Sequence, residues 1–253
     1  MRPSPSSVAV TVVFALVFLL TAPVCVVLGS LLFVLTFPFD RDRRALHALV
    51  CHWTFGYLRL NPGWRVRVLG REQLPKGASV LVANHQSAAD IVAVMGLFHP
   101  YKFVSKVSLF RLPLVGWMMQ LIRHIPLQRG RLHSTALMLE TSRQWLRRGM
   151  AVFFFPEGTY SEGQGLLPFR SGAFSLAIEE QVPVVPILLE GTDALLPGDG
   201  PWLAPRATIR VTVLAPRLPP KEADAQRYAD ALREEYQRLL SQRTILGSVG
   251  RAR

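Results

Sequence analysis

The sequence predicts an α/β protein in which a mixed, largely parallel sheet with flanking helices follows an N-terminal membrane-embedded helical segment. The first observation is size, because 253 residues with 50% hydrophobic content suffice for one such domain and its core. The second is that short apolar segments alternate with amphipathic ones, as strands alternate with helices in α/β proteins. The third is a long uncharged stretch that precedes all of them.

This uncharged stretch covers residues 8–39 and exceeds the roughly 20 apolar residues that a helix needs to cross a bilayer. Pro23 and Gly29 predict a kink or a break inside it. Two arrangements are open: one long, tilted or kinked span, or two short helices that dip into one leaflet. A cleaved signal peptide is disfavoured, because its apolar region is usually only about 7–15 residues long.

The basic residues concentrate in the N-terminal half, where residues 1–139 hold fifteen Lys or Arg against four Asp or Glu. Arg41, Arg43 and Arg44 follow the apolar stretch, whereas only Arg2 precedes it, so the positive-inside rule places the following domain in the cytoplasm. We expect this basic half to face an anionic membrane surface. Nucleic acid is disfavoured as a partner, because the sequence carries no nucleic-acid-binding motif.

The remaining chain shows no internal repeat or linker, so we expect residues 1–45 to form the membrane segment and 46–253 a single α/β domain. Strands are predicted at short apolar or alternating segments: 64–69, 78–83, 102–105, 122–127, 150–155, 182–189 and 207–214. Pro126 predicts that the fourth of these is an edge strand. Helices are predicted over 88–98, 132–148, 171–180 and 221–242, with Gly149 as a C-cap and Ser171 as an N-cap.

Two polar clusters follow predicted strands, at residues 84–90 and 156–161, where ligand sites of α/β sheets usually lie. His85 and Asp90 would point about 140° apart on one regular helix. They meet only if His85 lies in the loop and Asp90 in the first turns of the helix. A carboxylate on one imidazole nitrogen leaves the other free to act as a general base. From spacing alone, a capping role for Asp90 and a structural role for Glu157 also stay open.

Taken together, the clusters match a set of motifs. The chain contains NHxSxxD at Asn84–Asp90, FPEGTRS with one substitution at Phe155–Ser161, a pattern like LPFKxGAF at Leu167–Phe174 and VPVVP at Val182–Pro186. A further motif places Lys106, Leu109, Phe110, Pro113, Gly116 and Arg129 at the expected spacing. From Asn84 to Glu190 the sequence therefore resembles the glycerolipid acyltransferase family, whose best-known members are the lysophosphatidic acid acyltransferases.

The resemblance implies transfer of a fatty acyl group from acyl-CoA or acyl carrier protein to the sn-2 hydroxyl of 1-acyl-glycerol 3-phosphate, which makes phosphatidic acid. It implies His85 as the catalytic base and Asp90 as its partner, with no acyl-enzyme, cofactor or metal. The six histidines form no common metal-binding pattern. The substrate-binding residues that the resemblance implies are Asn84, Ser87, Lys106, Arg129, Glu157, Gly158, Thr159 and Tyr160.

One departure concerns the acceptor. Tyr160 stands where FPEGTRS has an arginine that the family associates with the acceptor's phosphate, and a phenol offers no charge and no bidentate contact. Arg123 is a candidate for supplying the missing charge. Acceptors with other headgroups therefore stay open: lysophosphatidylethanolamine, lysophosphatidylcholine or a lyso-ornithine lipid. A membrane-bound thioesterase and a non-catalytic lipid-binding relative are the alternatives from other functional classes.

Overall fold

The computed structural model describes residues 3–161, 165–198 and 200–249, with side chains described as far as residue 242. Arg2, which entered the charge comparison, and residues 162–164 of the glycine-rich loop lie outside these ranges. The strands are β1 Trp64–Leu69, β2 Val80–Ala83, β3 Tyr101–Lys106, β4 Ile125–Leu127, β5 Ala151–Phe154, β6 Val184–Glu190 and β7 Ala207–Val213. The helices are α1 Pro5–Thr36, α2 Arg44–Leu60, α3 Ala89–Val94, α4 Val115–Leu121, α5 Leu132–Arg147, α6 Gly172–Glu179, α7 Thr192–Leu195 and α8 Ala225–Val249.

The strands form one seven-stranded sheet in the order β1-β7-β6-β2-β5-β3-β4. Every pair is parallel except β6 with β7, which confirms the prediction of a mixed, largely parallel sheet. β4 carries Pro126 and lies at the sheet edge, where a missing backbone N–H is tolerated. Because β2 and β5 are parallel neighbours, the two polar clusters that follow them emerge at the same edge of the sheet.

Helices cover both faces of the sheet, and each face has its own core. On one side α2, α3 and α7 pack against alternate residues such as Leu81 and Phe153. On the other, α5, α6 and α8 cover the intervening residues, among them Val82 and Val152. The central strands are therefore buried on both faces, which explains why their sequences are apolar runs rather than alternating ones.

The structure confirms the predicted C-cap of α5 but not the predicted N-cap of α6. Gly149 stands just past α5 with a positive φ of 77°, and the Met150 N–H returns to the Trp145 carbonyl oxygen, as expected of a glycine C-cap. Ser171 precedes α6, but its side chain makes no capping hydrogen bond. The N-cap prediction for Ser171 was wrong, because this residue already has helical backbone angles, which do not aim its hydroxyl at the first N–H groups.

The uncharged stretch forms one continuous helix, α1, in which Pro23 is accommodated. α1 is long and apolar enough to cross a membrane, judged by length and composition alone. Ala22, Cys25 and Gly29 are its buried residues, and their small side chains allow close packing on the rest of the protein. Large aliphatic side chains are exposed along the opposite face, including Leu20 and Val27. α2, which the sequence prediction did not assign, packs beside α1.

Candidate active site

His85 and Asp90 are in direct contact. His85 lies in the loop after β2, Asp90 lies in the first turn of α3, and the Nδ1–Oδ2 distance is 2.8 Å. The same carboxylate oxygen accepts hydrogen bonds from the backbone N–H groups of Gln86 at 2.6 Å and Ser87 at 2.9 Å. Asp90 therefore holds the backbone of the loop as well as the imidazole. Because α3 has no side-chain capping hydrogen bond, the alternative that Asp90 caps the helix was wrong.

The hydrogen bonds around Asp90 define the tautomer of His85. Asp90 is fully buried, and the Thr192 hydroxyl donates to its Oδ1. A carboxylate can only accept hydrogen bonds, so the proton of neutral His85 lies on Nδ1 and its Nε2 carries a free lone pair. Thr192 was missed by the sequence analysis, because nothing near it in sequence marks it as a partner for a residue 102 positions earlier.

Two aromatic side chains hold the imidazole ring. Phe155 stacks on it with a centroid distance of 3.9 Å and an interplanar angle of 6°. Tyr160 meets it edge-on, with the centroids 5.7 Å apart. The His85 carbonyl oxygen also accepts a hydrogen bond from the Ser161 N–H at 2.9 Å. The loop that follows β5 therefore forms one wall around His85.

Glu157 ties this loop to the His85 backbone. Its Oε1 accepts from the His85 N–H at 2.6 Å and its Oε2 from the Leu167 N–H at 2.8 Å. Burial raises the pKa of Glu157 to about 7, because removal from water disfavours the charged carboxylate. Both oxygens are occupied by backbone donors, so the geometry gives Glu157 a positioning role. A direct contact with the acceptor remains a prediction.

Asn84 and Ser87 are also engaged with backbone groups. Asn84 accepts from the Leu189 N–H at 2.8 Å and donates to the Leu189 carbonyl oxygen at 2.9 Å. The Ser87 hydroxyl donates to the Leu196 carbonyl oxygen at 2.7 Å. Both side chains are buried and fasten the catalytic loop to β6 and to the segment after α7. Substrate contacts through them remain predictions.

Other predicted site residues lie exposed around the same edge of the sheet. Lys106 ends β3 and Arg129 follows β4, while Thr159 and Tyr160 lie in the loop after β5. These strands run parallel, so their carboxyl ends share an edge with His85. The structure thus places these residues at the sheet edge that carries the dyad, and among them Tyr160 contacts the His85 ring.

Arg123 precedes β4 and therefore lies at the opposite edge. Arg129 comes six residues later, about 20 Å when the chain is fully extended. Burial lowers the pKa of Arg43 and of Lys102, and the charge of Arg123 lowers each further, so Arg123 lies near these two residues instead. Arg123 cannot replace the missing arginine of the motif, and this interpretation of the sequence was wrong.

Gly158 occupies a position that only glycine accommodates readily. Its φ is +76°, in the left-handed region, and a Cβ atom there would come within 2.7 Å of Nε of Arg170. The Arg170 side chain therefore lies directly against the backbone of the loop that walls His85. Arg170 was not among the predicted site residues, because in the sequence it stands only at the lysine position of LPFKxGAF.

An apolar cavity of about 240 Å³ lies beside the helix that carries Asp90. Ile91 and Val92 of α3, Phe103 of β3 and Met118 of α4 line it on one side, and α1 and α2 close it on the other. Its polar lining is minor, so an aliphatic chain fits its chemistry better than a headgroup does.

The sequence matches the family model described as Acyltransferase over residues 65–190. It is 35% identical over 205 residues to a chloroplastic 1-acyl-sn-glycerol-3-phosphate acyltransferase of Brassica napus, covering 79% of this chain and 59% of that one. A Chlamydomonas reinhardtii enzyme of the same name is 38% identical over 225 residues, with coverage of 87% and 66%. The Escherichia coli one is 33% identical over 146 residues, with coverage of 55% and 60%.

These curated relatives are longer than the matching part of this chain, which spans about three fifths to two thirds of their length. Among solved structures, the 1-acyl-sn-glycerophosphate acyltransferase PlsC from Thermotoga maritima superposes with a TM-score of 0.70. The two sequences are 22% identical, and the match covers 93% of this chain and 94% of that one. At this identity the structural match establishes the shared fold.

Proposed function

Because the chain belongs to the glycerolipid acyltransferase family, we propose that it is an O-acyltransferase acting on a lysophospholipid. The donor is a fatty acyl thioester, acyl-CoA or acyl carrier protein, and the acceptor is the sn-2 hydroxyl of 1-acyl-glycerol 3-phosphate. The product is phosphatidic acid. The observation that carries this proposal is the His85–Asp90 pair, whose Nδ1–Oδ2 bond of 2.8 Å leaves Nε2 as the base.

In the proposed mechanism Nε2 of His85 removes the proton of the acceptor hydroxyl as its oxygen attacks the thioester carbonyl. Asp90 stabilises the imidazolium that forms, through the hydrogen bond it already makes. Collapse of the tetrahedral intermediate breaks the C–S bond, and the imidazolium returns its proton to the leaving thiolate. The thioester is already activated, so no covalent acyl-enzyme is needed, and the chain has no G-x-S-x-G nucleophile elbow.

The apolar cavity beside α3 suits one acyl chain of the reaction. Ile91 and Val92, which line it, directly follow Asp90 in sequence, so a chain in the cavity ends near the dyad. We propose that residues 46–253 are the catalytic domain and that residues 1–45 are the membrane segment. Both parts line the apolar cavity, since α1 and α2 close it on the side opposite α3 and β3.

The packing of α1 favours a helix that lies within one leaflet rather than one that crosses the bilayer. The Thr11 hydroxyl near its start accepts from the Leu203 N–H, and Phe33 near its end packs against the buried cluster of Leu46, Met118 and Ile122. These contacts lie about 33 Å apart along the helix, more than the roughly 30 Å of a hydrocarbon core. A spanning α1 would draw the α/β domain into the bilayer with it.

We place the domain on the cytoplasmic surface of the membrane. Arg41 and Arg44 are exposed after α1 and suit an anionic leaflet. A tag at the N-terminus tests the arrangement of α1 in sealed vesicles. A helix within one leaflet leaves the tag and the catalytic domain accessible to protease on the same side, and a spanning helix separates them.

The function is tested with labelled acyl thioesters of CoA and of acyl carrier protein on a panel of lysolipids. The acceptors are lysophosphatidate, lysophosphatidylethanolamine, lysophosphatidylcholine and a lyso-ornithine lipid. We expect acylated lysophosphatidate, lost in His85→Ala and retained in His52→Ala, a control at an exposed histidine on α2. Thiol release without acylated lipid would identify a thioesterase instead. Lipid binding without thiol release would identify a non-catalytic relative.

A further inference from the structure

We infer that Arg170, together with Arg129, binds the phosphate of the acceptor and replaces the arginine that Tyr160 displaces from the family motif. The inference rests on the proposed function and narrows it, because it selects acceptors that carry a phosphate monoester. Two observations support it: the Arg170 side chain lies against the Gly158 backbone of the loop that walls His85, and Arg129 follows β4 at the same edge of the sheet.

Arg170 reaches this loop from outside the motif. Its backbone N–H donates to the Pro156 carbonyl oxygen at 2.9 Å, which fixes its backbone to the start of the loop. Its side chain then crosses the face of Gly158, two residues before Tyr160, and a Cβ at Gly158 would obstruct it at 2.7 Å. The absence of a side chain at Gly158 thus lets the Arg170 guanidinium lie against the same loop that carries position 160, where the family motif has its arginine.

Arg129 brings a second positive charge to the same place. Partial burial and then the nearby charge of Arg170 lower the pKa of Arg129, whereas Tyr160 raises it. The charges of these three side chains are therefore close enough to interact. Across the ranges that the structure describes, no carboxylate forms an ion pair with either arginine. Elsewhere arginines are paired, as Arg217 is with Glu235.

Two like charges at one site, with no carboxylate paired to either among the residues the structure describes, favour an anion there. Guanidinium groups suit phosphate because they donate paired hydrogen bonds in a planar fork. A phosphate monoester carries close to two negative charges at neutral pH, which matches two arginines. Lysophosphatidylcholine carries a diester with one negative charge and a bulky cation, so we expect the pair to discriminate against it.

The test measures KM and kcat for lysophosphatidate and for 1-acylglycerol, a neutral acceptor without phosphate. We expect Arg170→Gln to raise the KM for lysophosphatidate about ten- to a hundredfold, as the loss of charge-assisted hydrogen bonds predicts, with a smaller effect on kcat. Arg170→Lys should recover part of the loss. Kinetics with 1-acylglycerol should be unchanged, and Arg123→Gln, at the opposite sheet edge, should behave as the wild type.

A KM for lysophosphatidate within twofold of the wild type in both Arg170→Gln and Arg129→Gln would overturn the inference while leaving the acyltransferase function intact. If the wild type acylates no acceptor, the proposed function fails. The proposed phosphate site is then tested separately by measuring ligand binding. Isothermal titration of glycerol 3-phosphate into His85→Ala protein provides that readout. Weaker binding on adding Arg170→Gln supports the site, and equal or absent binding in both proteins overturns it.

Discussion

The replacement of Asp90 by asparagine separates the electrostatic role of this residue from its structural one. In the wild type, Oδ2 accepts three hydrogen bonds, from His85 Nδ1 and from the backbone N–H groups of Gln86 and Ser87. An amide oxygen at that position keeps all three. The amide nitrogen then faces the Thr192 hydroxyl, which can rotate to accept. We therefore expect Asp90→Asn to fold and to retain the Nδ1–H tautomer of His85.

The charge is what Asp90→Asn removes. The Nδ1–Oδ2 distance of 2.8 Å places the centres of an imidazolium and a carboxylate about 4 Å apart, an attraction of about 4 kcal/mol at an effective dielectric constant near 20. Loss of that stabilisation in the transition state corresponds to a decrease in kcat of about a thousandfold. The assay follows labelled phosphatidic acid and thiol release at saturating lysophosphatidate.

Asp90→Ala is the matched comparison, because it removes the acceptor of four hydrogen bonds, three on Oδ2 and the one from Thr192 on Oδ1, and a buried donor left unpaired costs about 1–3 kcal/mol. It should lose activity and also unfold at a clearly lower temperature, whereas Asp90→Asn should melt within a few degrees of the wild type. Asp90→Asn protein that retains more than a tenth of the wild-type kcat would refute the electrostatic role. An equal loss of thermal stability in both variants would refute the proposed separation.

Three further perturbations test other parts of the structure. Glu157→Gln has only one acceptor oxygen for the two N–H groups of His85 and Leu167, so kcat should fall about tenfold. Folding raises the pKa of Glu157 from its ordinary 4.5 to about 7, so the stability of the wild type falls as the pH rises from about 4.5 to 7. Glutamine does not titrate, so the melting temperature of Glu157→Gln should vary less across this range. A variant whose melting temperature depends on pH as the wild type's does would contradict this. Lys102 donates to the Asp42 and Ile122 carbonyl oxygens, and burial lowers its pKa from 10.5 to about 7. Between these two pKa values the unfolded chain binds more protons than the folded one, so stability rises with pH. The melting temperature of Lys102→Met should therefore rise less than that of the wild type between pH 7 and 9. Val26→Phe reduces the apolar cavity and should shift selectivity toward shorter acyl-CoA donors, measured as kcat/KM across a chain-length series; an unaltered series would remove the cavity from the acyl path.

Several elements could be predicted because their signals are local. β1 was predicted at its observed bounds, since residues 64–69 alternate as an edge strand does. The long amphipathic pattern of residues 132–148 predicted α5 to within one residue. α2 and α4 were not assigned from the sequence. Their burial depends on contacts with α1, which no local periodicity specifies.

For the site, the motifs in the sequence predicted the pairing of His85 with Asp90, although the five-residue spacing alone left a capping role for Asp90 open. The sequence by itself also brought the two polar clusters to one sheet edge, since parallel strands end together. Only the tertiary structure decided which distant groups complete the site. Sheet order and strand direction determine three contacts: Thr192 with Asp90, Glu157 with the His85 backbone, and Arg170 with Gly158. They also keep Arg123 away from Gly158. These are set by packing between segments far apart in the chain, and the order of residues along the chain does not encode them locally.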